Sequence, residues 1–143
     1  MYRQLTKRAV LVDTSAAIAL QEPKDPFHIH AQDYFTTTEG VRWVVMNATT
    51  HEAFTRRRYD DSLPSGLRIY DFLTKSPFKV VAFEDVDEIE AANILRHYDD
   101  QVFSFHDALC FAVMKRIGLY RVFTFDSDFW ILGFQVEPGV TKT

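Results

Sequence analysis

Four acidic residues are placed for chemistry. Asp13 follows the apolar run Ala9, Val10, Leu11, Val12, and Asp126 follows Val122, Phe123, Thr124, Phe125. Asp107 lies in the opening turn of one helical pattern and Glu52 early in another. Hard oxygen donors of this kind suit Mg²⁺ or Mn²⁺, which take a few carboxylates and keep several waters. A metal so held activates water and stabilises charge on a phosphate oxygen, so the chemistry indicated is hydrolysis of a phosphodiester. Each acid has a plainer reading. Asp13 can cap the next helix, Asp107 can be a first-turn acid favoured by the helix dipole, and Glu52 can be a solvated helical residue.

The elements around these acids alternate in type. Residues 9–12 read as a strand buried on both faces. Asp13, Thr14 and Ser15 then offer helix-capping chemistry, and the helix runs through residues 16–20 before Pro23. Asp25 and Pro26 open a second helix with Phe27, Ala31, Tyr34 and Phe35 on one face. Residues 43–46 form the second strand, and Asn47 or Thr49 caps the helix that carries Glu52. Ser62, Leu63 and Pro64 begin another helix, stopped by Ser76 and Pro77. A third strand is expected over residues 78–83, then a helix over 85–98 with Val86, Ile89 and Leu95 inward. Ser104 precedes a helix over 105–117, with Gly118 as its C-cap. A fourth strand over 122–125 and a fifth over 134–136 complete the chain. This alternation of apolar strands and helices predicts an α/β fold, a three-layer α/β/α sandwich around a central parallel sheet of four to five strands. In open parallel sheets ligands bind beyond the carboxyl ends of strands, where strand order reverses. If strands one and four are neighbours there, Asp13 and Asp126 face one crevice, with Asp107 and Glu52 near it.

Bulk properties agree with one domain over residues 1–143. Apolar residues make up 47% of the chain, and thirteen Phe indicate an aromatic core. Cys110 is the only cysteine, which excludes an internal disulfide and points to a reducing, cytoplasmic setting. Its apolar flanks predict a packed thiol. No apolar run approaches the roughly 18 residues of a membrane helix. The basic residues 1–8 precede an apolar segment that Asp13 interrupts, unlike a signal peptide. A net charge of −4 argues against a nucleic-acid partner. Divalent ions on the carboxylates would cancel or invert that charge locally, so it does not decide the question.

Several polar residues flank the acids. Ser15 and Thr124 are expected to hydrogen-bond the carboxylates or metal-bound water, the alternative being backbone capping. Arg56, Arg57 and Arg58 read either as a phosphate track or partner surface, or as a solvated helix face, with at least one Arg turned away. His51 and His106 each adjoin an acid, but successive helical positions point about 100° apart. Hydrogen-bonding or surface roles are therefore expected of them rather than zinc binding or general-base catalysis. His28 and His30 diverge on a helix and are set aside.

Taken in order, the segments Val10-Leu11-Val12-Asp13-Thr14-Ser15, Glu52, Ser104-Phe105-His106-Asp107-Ala108 and Thr124-Phe125-Asp126-Ser127-Asp128-Phe129 resemble the PIN-domain ribonucleases, especially the toxins of bacterial toxin–antitoxin pairs. The resemblance covers nearly the whole chain. It implies a five-stranded parallel sheet in order 3-2-1-4-5 and divalent-metal-dependent cleavage of RNA. It also implies frequent homodimers and inhibition by a small antitoxin. Asp13, Glu52, Asp107 and Asp126 would be the catalytic acids. Asp128 competes with Asp126 for the fourth position and is otherwise an outer metal ligand, while Ser104 supports Asp107. Three alternatives are weighed against it. A PIN fold can bind RNA or protein without cutting. A phospho-receiver domain would want adjacent acids after strand one and a Lys after the last strand, and a dehalogenase-type phosphatase would want Asp where Ser15 stands.

Overall fold

The computed structural model describes residues 8–141; of the basic opening, residues 1–7 lie outside them. Five strands, β1 (Ala9–Val12), β2 (Arg42–Met46), β3 (Phe78–Val81), β4 (Arg121–Phe123) and β5 (Gln135–Glu137), pair in the order β3-β2-β1-β4-β5. Every pairing is parallel, with Leu11 opposite both Val44 and Val122. The helices are α1 (Thr14–Gln21), α2 (His28–Thr37), α3 (Asn47–Asp60), α4 (Leu63–Leu73), α5 (Asp85–His97), α6 (Phe105–Ile117) and the short α7 (Asp128–Ile131). Strand order reverses between β1 and β4, which is where the sequence required it if Asp13 and Asp126 were to share a crevice.

The apolar run of β1 is explained by burial on both faces. Ala9 and Leu11 enter one core with α5 and α6, while Val10 and Val12 enter the other with α1 to α4. Side chains of a strand alternate in direction, so only an unbroken apolar run can serve two cores at once. Phe111, Phe123, Phe125 and Phe129 are among the largest fully buried side chains. Each contributes roughly 1.5–3 kcal/mol by the transfer of its surface from water. Among the described residues, no helix is long and apolar enough to cross a membrane.

The structure departs from the sequence-based expectations at several elements: α2 starts at His28 with Phe27 as its N-cap, so Pro26 precedes the helix rather than opening it, and Met46 rather than Asn47 or Thr49 takes the N-cap position of α3. Val86 and Ile89 on α5 are not inward: they are 55% and 64% exposed. The face turned inward carries Asp87, Ala91 and Ile94, and Asp87 forms a two-pronged bond to Arg116 of α6 at 2.7 and 2.9 Å. A buried charge needs its partner more than two aliphatic side chains need burial, so the pair and the small Ala91 set the rotation of the helix. Leu95 packs on the core as expected. Strand β4 stops at Phe123 rather than running to Phe125. Beyond it the Phe125 N–H donates to Ser15 Oγ and the Asp126 N–H to Thr124 Oγ1, so side chains take over from the sheet ladder. Strand β3 ends at Val81, and the Phe83 N–H donates to Asn47 Oδ1 at 3.4 Å.

Candidate active site

Asp13 takes the N-cap position of α1 but makes no side-chain capping bond. Its Oδ2 instead accepts a hydrogen bond from Thr124 Oγ1 at 2.9 Å, with Ser15 Oγ at 3.4 Å. The two hydroxyls lie 3.1 Å apart, and the Asp13 N–H donates to Phe123 O. β1 and β4 are thereby joined, just beyond their last paired residues, by a small polar lattice. Asp13 is 3% exposed. Burial pushes its carboxyl pKa up, opposed by the nearby His106 and by the Thr124 bond, with Asp126 adding to the rise. Thr14 Oγ1, buried beside it, has no hydrogen-bond partner among the described residues.

A second group gathers three carboxylates. One oxygen each from Asp107, Asp126 and Asp128 lies within 4.8 Å of the others. Asp107 is positioned by a capping box: its N–H donates to Ser104 Oγ at 3.0 Å while its Oδ2 accepts from the Ser104 N–H at 3.1 Å. Ser104 thus orients Asp107 through the backbone of α6. Asp126 Oδ1 accepts from the Asp128 N–H at 2.9 Å, which fixes the turn that starts α7. Burial, together with the charges of Asp13 and Asp126, pushes Asp107 up to about 6 against the Ser104 bonds. Burial and the charges of Asp126 and Asp107 also push Asp128 up to about 6. Both acids behave as members of a repelling set.

These residues fit a divalent ion. Carboxylates gathered this way repel one another, a cation among them would relieve the repulsion, and oxygen-only donors match the preference of Mg²⁺ and Mn²⁺. Asp107, Asp126 and Asp128 would hold the ion, with Asp13 beside them.

Glu52 does not join this group. Its carboxylate lies 3.4 Å from Arg56 and 3.4 Å from His106 Nδ1. His106 in turn meets Thr49 Oγ1 at 2.8 Å, so the hydrogen-bonding role expected of it holds, though inside the molecule rather than at its surface. Cys110, fully buried, lies 3.9 and 4.0 Å from the two ring nitrogens. His51 is exposed and stacks on Tyr70, and His28 Nδ1 contacts Ala19 O, tying α2 to α1. The arginine run divides. Arg57 turns inward to Glu22 at 3.0 Å and Asp61 at 3.7 Å, beside a cavity of about 610 Å³ that none of the candidate acids lines. Arg56 pairs with Glu52 from the exposed side of α3, and Arg58 is exposed as well. Sequence reasoning missed the approach of His106 and Cys110 to Asp13. Their spacing of four on one helix face was the available signal.

Comparison with known proteins agrees with this geometry. A 55-residue segment is 40% identical to the 23S rRNA-specific endonuclease VapC20 of Mycobacterium tuberculosis, covering 38% of this chain. That match spans 41% of the relative's own length. The crystal structure of M. tuberculosis VapC20, a sarcin-ricin loop cleaving toxin, superposes with a TM-score of 0.82 at 26% identity, over 87% of this chain and 95% of that one. A toxin–antitoxin complex from Klebsiella pneumoniae shares the fold, with a TM-score of 0.61 at 14% identity over 93% and 96% of the two chains. The PIN domain family model matches residues 10–134, the stretch that runs from within β1 to just before β5 and holds every candidate acid, and the chain belongs to the PIN-domain family.

Proposed function

We propose that this protein is a metal-dependent endoribonuclease and the toxin of a toxin–antitoxin pair. The observation that carries the reading is the convergence of Asp107, Asp126 and Asp128 beside buried Asp13 at the reversal point of the sheet. The similarity to VapC20 supports RNA as substrate, and makes a structured ribosomal RNA the first one to test. An antitoxin protein and a homodimer belong to the same reading.

The chain's own groups divide the work. Thr124 and Ser15 orient the Asp13 carboxylate, and Ser104 orients that of Asp107. Asp107 and Asp128, both pushed up to about 6 by burial and neighbouring carboxylates, are the groups whose repulsion a cation would relieve. A bound Mg²⁺ or Mn²⁺ supplies Lewis acidity toward a phosphate oxygen and acidifies adjacent water. Arg58 and Arg56, on the exposed side of α3, are the cations available to flanking phosphates.

The test is cleavage of an RNA hairpin by the purified protein with Mn²⁺ or Mg²⁺ and with EDTA. Cleavage is expected with either metal and not with the chelator. Undiminished cleavage in EDTA would remove the metal mechanism, and binding without cleavage in both metals would favour the non-cutting PIN module.

A further inference from the structure

Behind the carboxylate cluster lies a donor set of different chemistry. Asp13, His106 and Cys110 each offer one ligand atom, and these atoms lie within 4.8 Å of one another. They come from two elements, the end of β1 and one face of α6, where His106 and Cys110 are four residues apart. Ligand atoms about 2.0–2.3 Å from a tetrahedral Zn²⁺ stand roughly 3.3–3.7 Å from each other. Here His106 Nδ1 lies 4.0 Å from Cys110 Sγ and 3.4 Å from Glu52 Oε2, so the thiol and the imidazole must draw together to hold an ion. Thr49 Oγ1 holds Nε2 at 2.8 Å, the kind of support that aims the other ring nitrogen at a metal. Cys110 is wholly buried and Asp13 nearly so, while the side chains of His106 and Glu52 keep 10% and 26% of their surface. The group is closed behind, and its most exposed member is Glu52.

We infer that Asp13, His106 and Cys110 form a Zn²⁺ site that withdraws Asp13 from the carboxylate cluster and so inhibits the nuclease. The inhibitory half rests on the function proposed above; the binding half does not. A thiolate and an imidazole favour Zn²⁺ over Mn²⁺ and Mg²⁺, whereas the three aspartates favour the hard ions. Asp13 stands beside both sets, and a carboxylate drawn to zinc is no longer free for the other. Burial and the charges of Asp13 and Asp107 hold the Cys110 thiol well above its ordinary pKa, so zinc would have to displace its proton for the sulfur to serve as a ligand.

The experiment uses Co²⁺ as a spectroscopic stand-in for zinc on the full chain, without thiol reductants. A sulfur-to-cobalt absorption band in the near ultraviolet is expected, reversed by one equivalent of Zn²⁺. Since Cys110 is the only cysteine, the band assigns the ligand without any substitution. Cys110→Val and His106→Gln, checked for folding by thermal melting, should lose it. Zn²⁺ should inhibit Mn²⁺-supported RNA cleavage. In Cys110→Val the half-inhibitory Zn²⁺ concentration, taken relative to that variant's own rate, should rise at least about tenfold. No cobalt band overturns the site, even if the protein cleaves RNA. A band in a protein that cleaves no RNA leaves the site standing and sinks the nuclease reading instead. A band with zinc inhibition unchanged in Cys110→Val overturns the inhibitory role and assigns inhibition to the aspartates.

Discussion

Asp107 serves two purposes with one carboxylate. Its Oδ2 closes the capping box of α6, and the group is also part of the three-acid cluster. The first stabilises the fold; the second costs stability while no cation is present. Its pKa is about 6 in the folded protein against 3.8 as the ordinary value. Between those values the folded state binds more protons than the unfolded one, so metal-free stability falls as pH rises through that window. Asp107→Asn keeps a carbonyl oxygen for the Ser104 N–H and removes the charge. In EDTA the variant is expected to melt at or above the parent at pH 7 and close to it at pH 4, and with Mn²⁺ it is expected to lose RNA cleavage. Paired thermal melts at the two pH values check this. A variant that melts well below the parent at both would make the residue structural.

The helices α3, α5 and α6 sort their charges by where they face. Arg57 is only 13% exposed and joins α3 to Glu22 after α1. Arg57→Gln should destabilise the fold by about 1–2 kcal/mol, because a charge-assisted bond is removed. Replacing Arg56 and Arg58 with Gln should leave the melting temperature unchanged. It should flatten the salt dependence of single-stranded RNA binding by about 0.7 in log–log slope for each phosphate that is no longer neutralised. Fluorescence anisotropy in EDTA across a salt series measures this, and an unchanged slope returns both residues to the solvated surface. Asp87 acts in the opposite sense to Asp107. The Arg116 bond holds its carboxyl below the ordinary 3.8, against the effect of burial. Its contribution is therefore present above that pH and lost as pH falls through the depressed folded value. Asp87→Asn should cost about 1.5–2 kcal/mol at pH 7 and make acid unfolding less steep below about pH 4, read by denaturant titration at each pH.

At the scale of the whole molecule, the candidate metal site links segments far apart in the chain. Asp13 ends β1, Asp107 opens α6, and Asp126 and Asp128 follow β4. The unfolded chain has no such site, so binding energy becomes folding energy. Mn²⁺ at about 100 times its dissociation constant should stabilise the parent by about 2.7 kcal/mol, and Asp107→Asn by much less. Differential scanning calorimetry with and without metal checks it, and equal stabilisation of the two would move the site elsewhere. The net charge of −4 is then no obstacle to RNA, since the ion offsets the charge where the phosphate must sit.

Much of this was determined by the sequence alone. Short apolar runs bounded by turn residues read as strands of a buried parallel sheet, although the equally apolar residues 108–114 are helical, and acids just after such strands emerge at the carboxyl edge of the sheet. The position of Asp13 at the end of β1 was legible for that reason, as was that of Asp107 from the Ser104 capping pattern, whereas β4 ends at Phe123, three residues before Asp126. The tertiary structure alone decided what depends on which surfaces meet. Val86 and Ile89 face outward because a buried Asp87–Arg116 bond outweighs apolar periodicity. Glu52 lies 3.4 Å from both Arg56 and His106, contacts that depend on how α3 meets α6. His106 and Cys110 lie against Asp13 for the same reason: a helix fixes which residues share a face, but only packing fixes what that face meets.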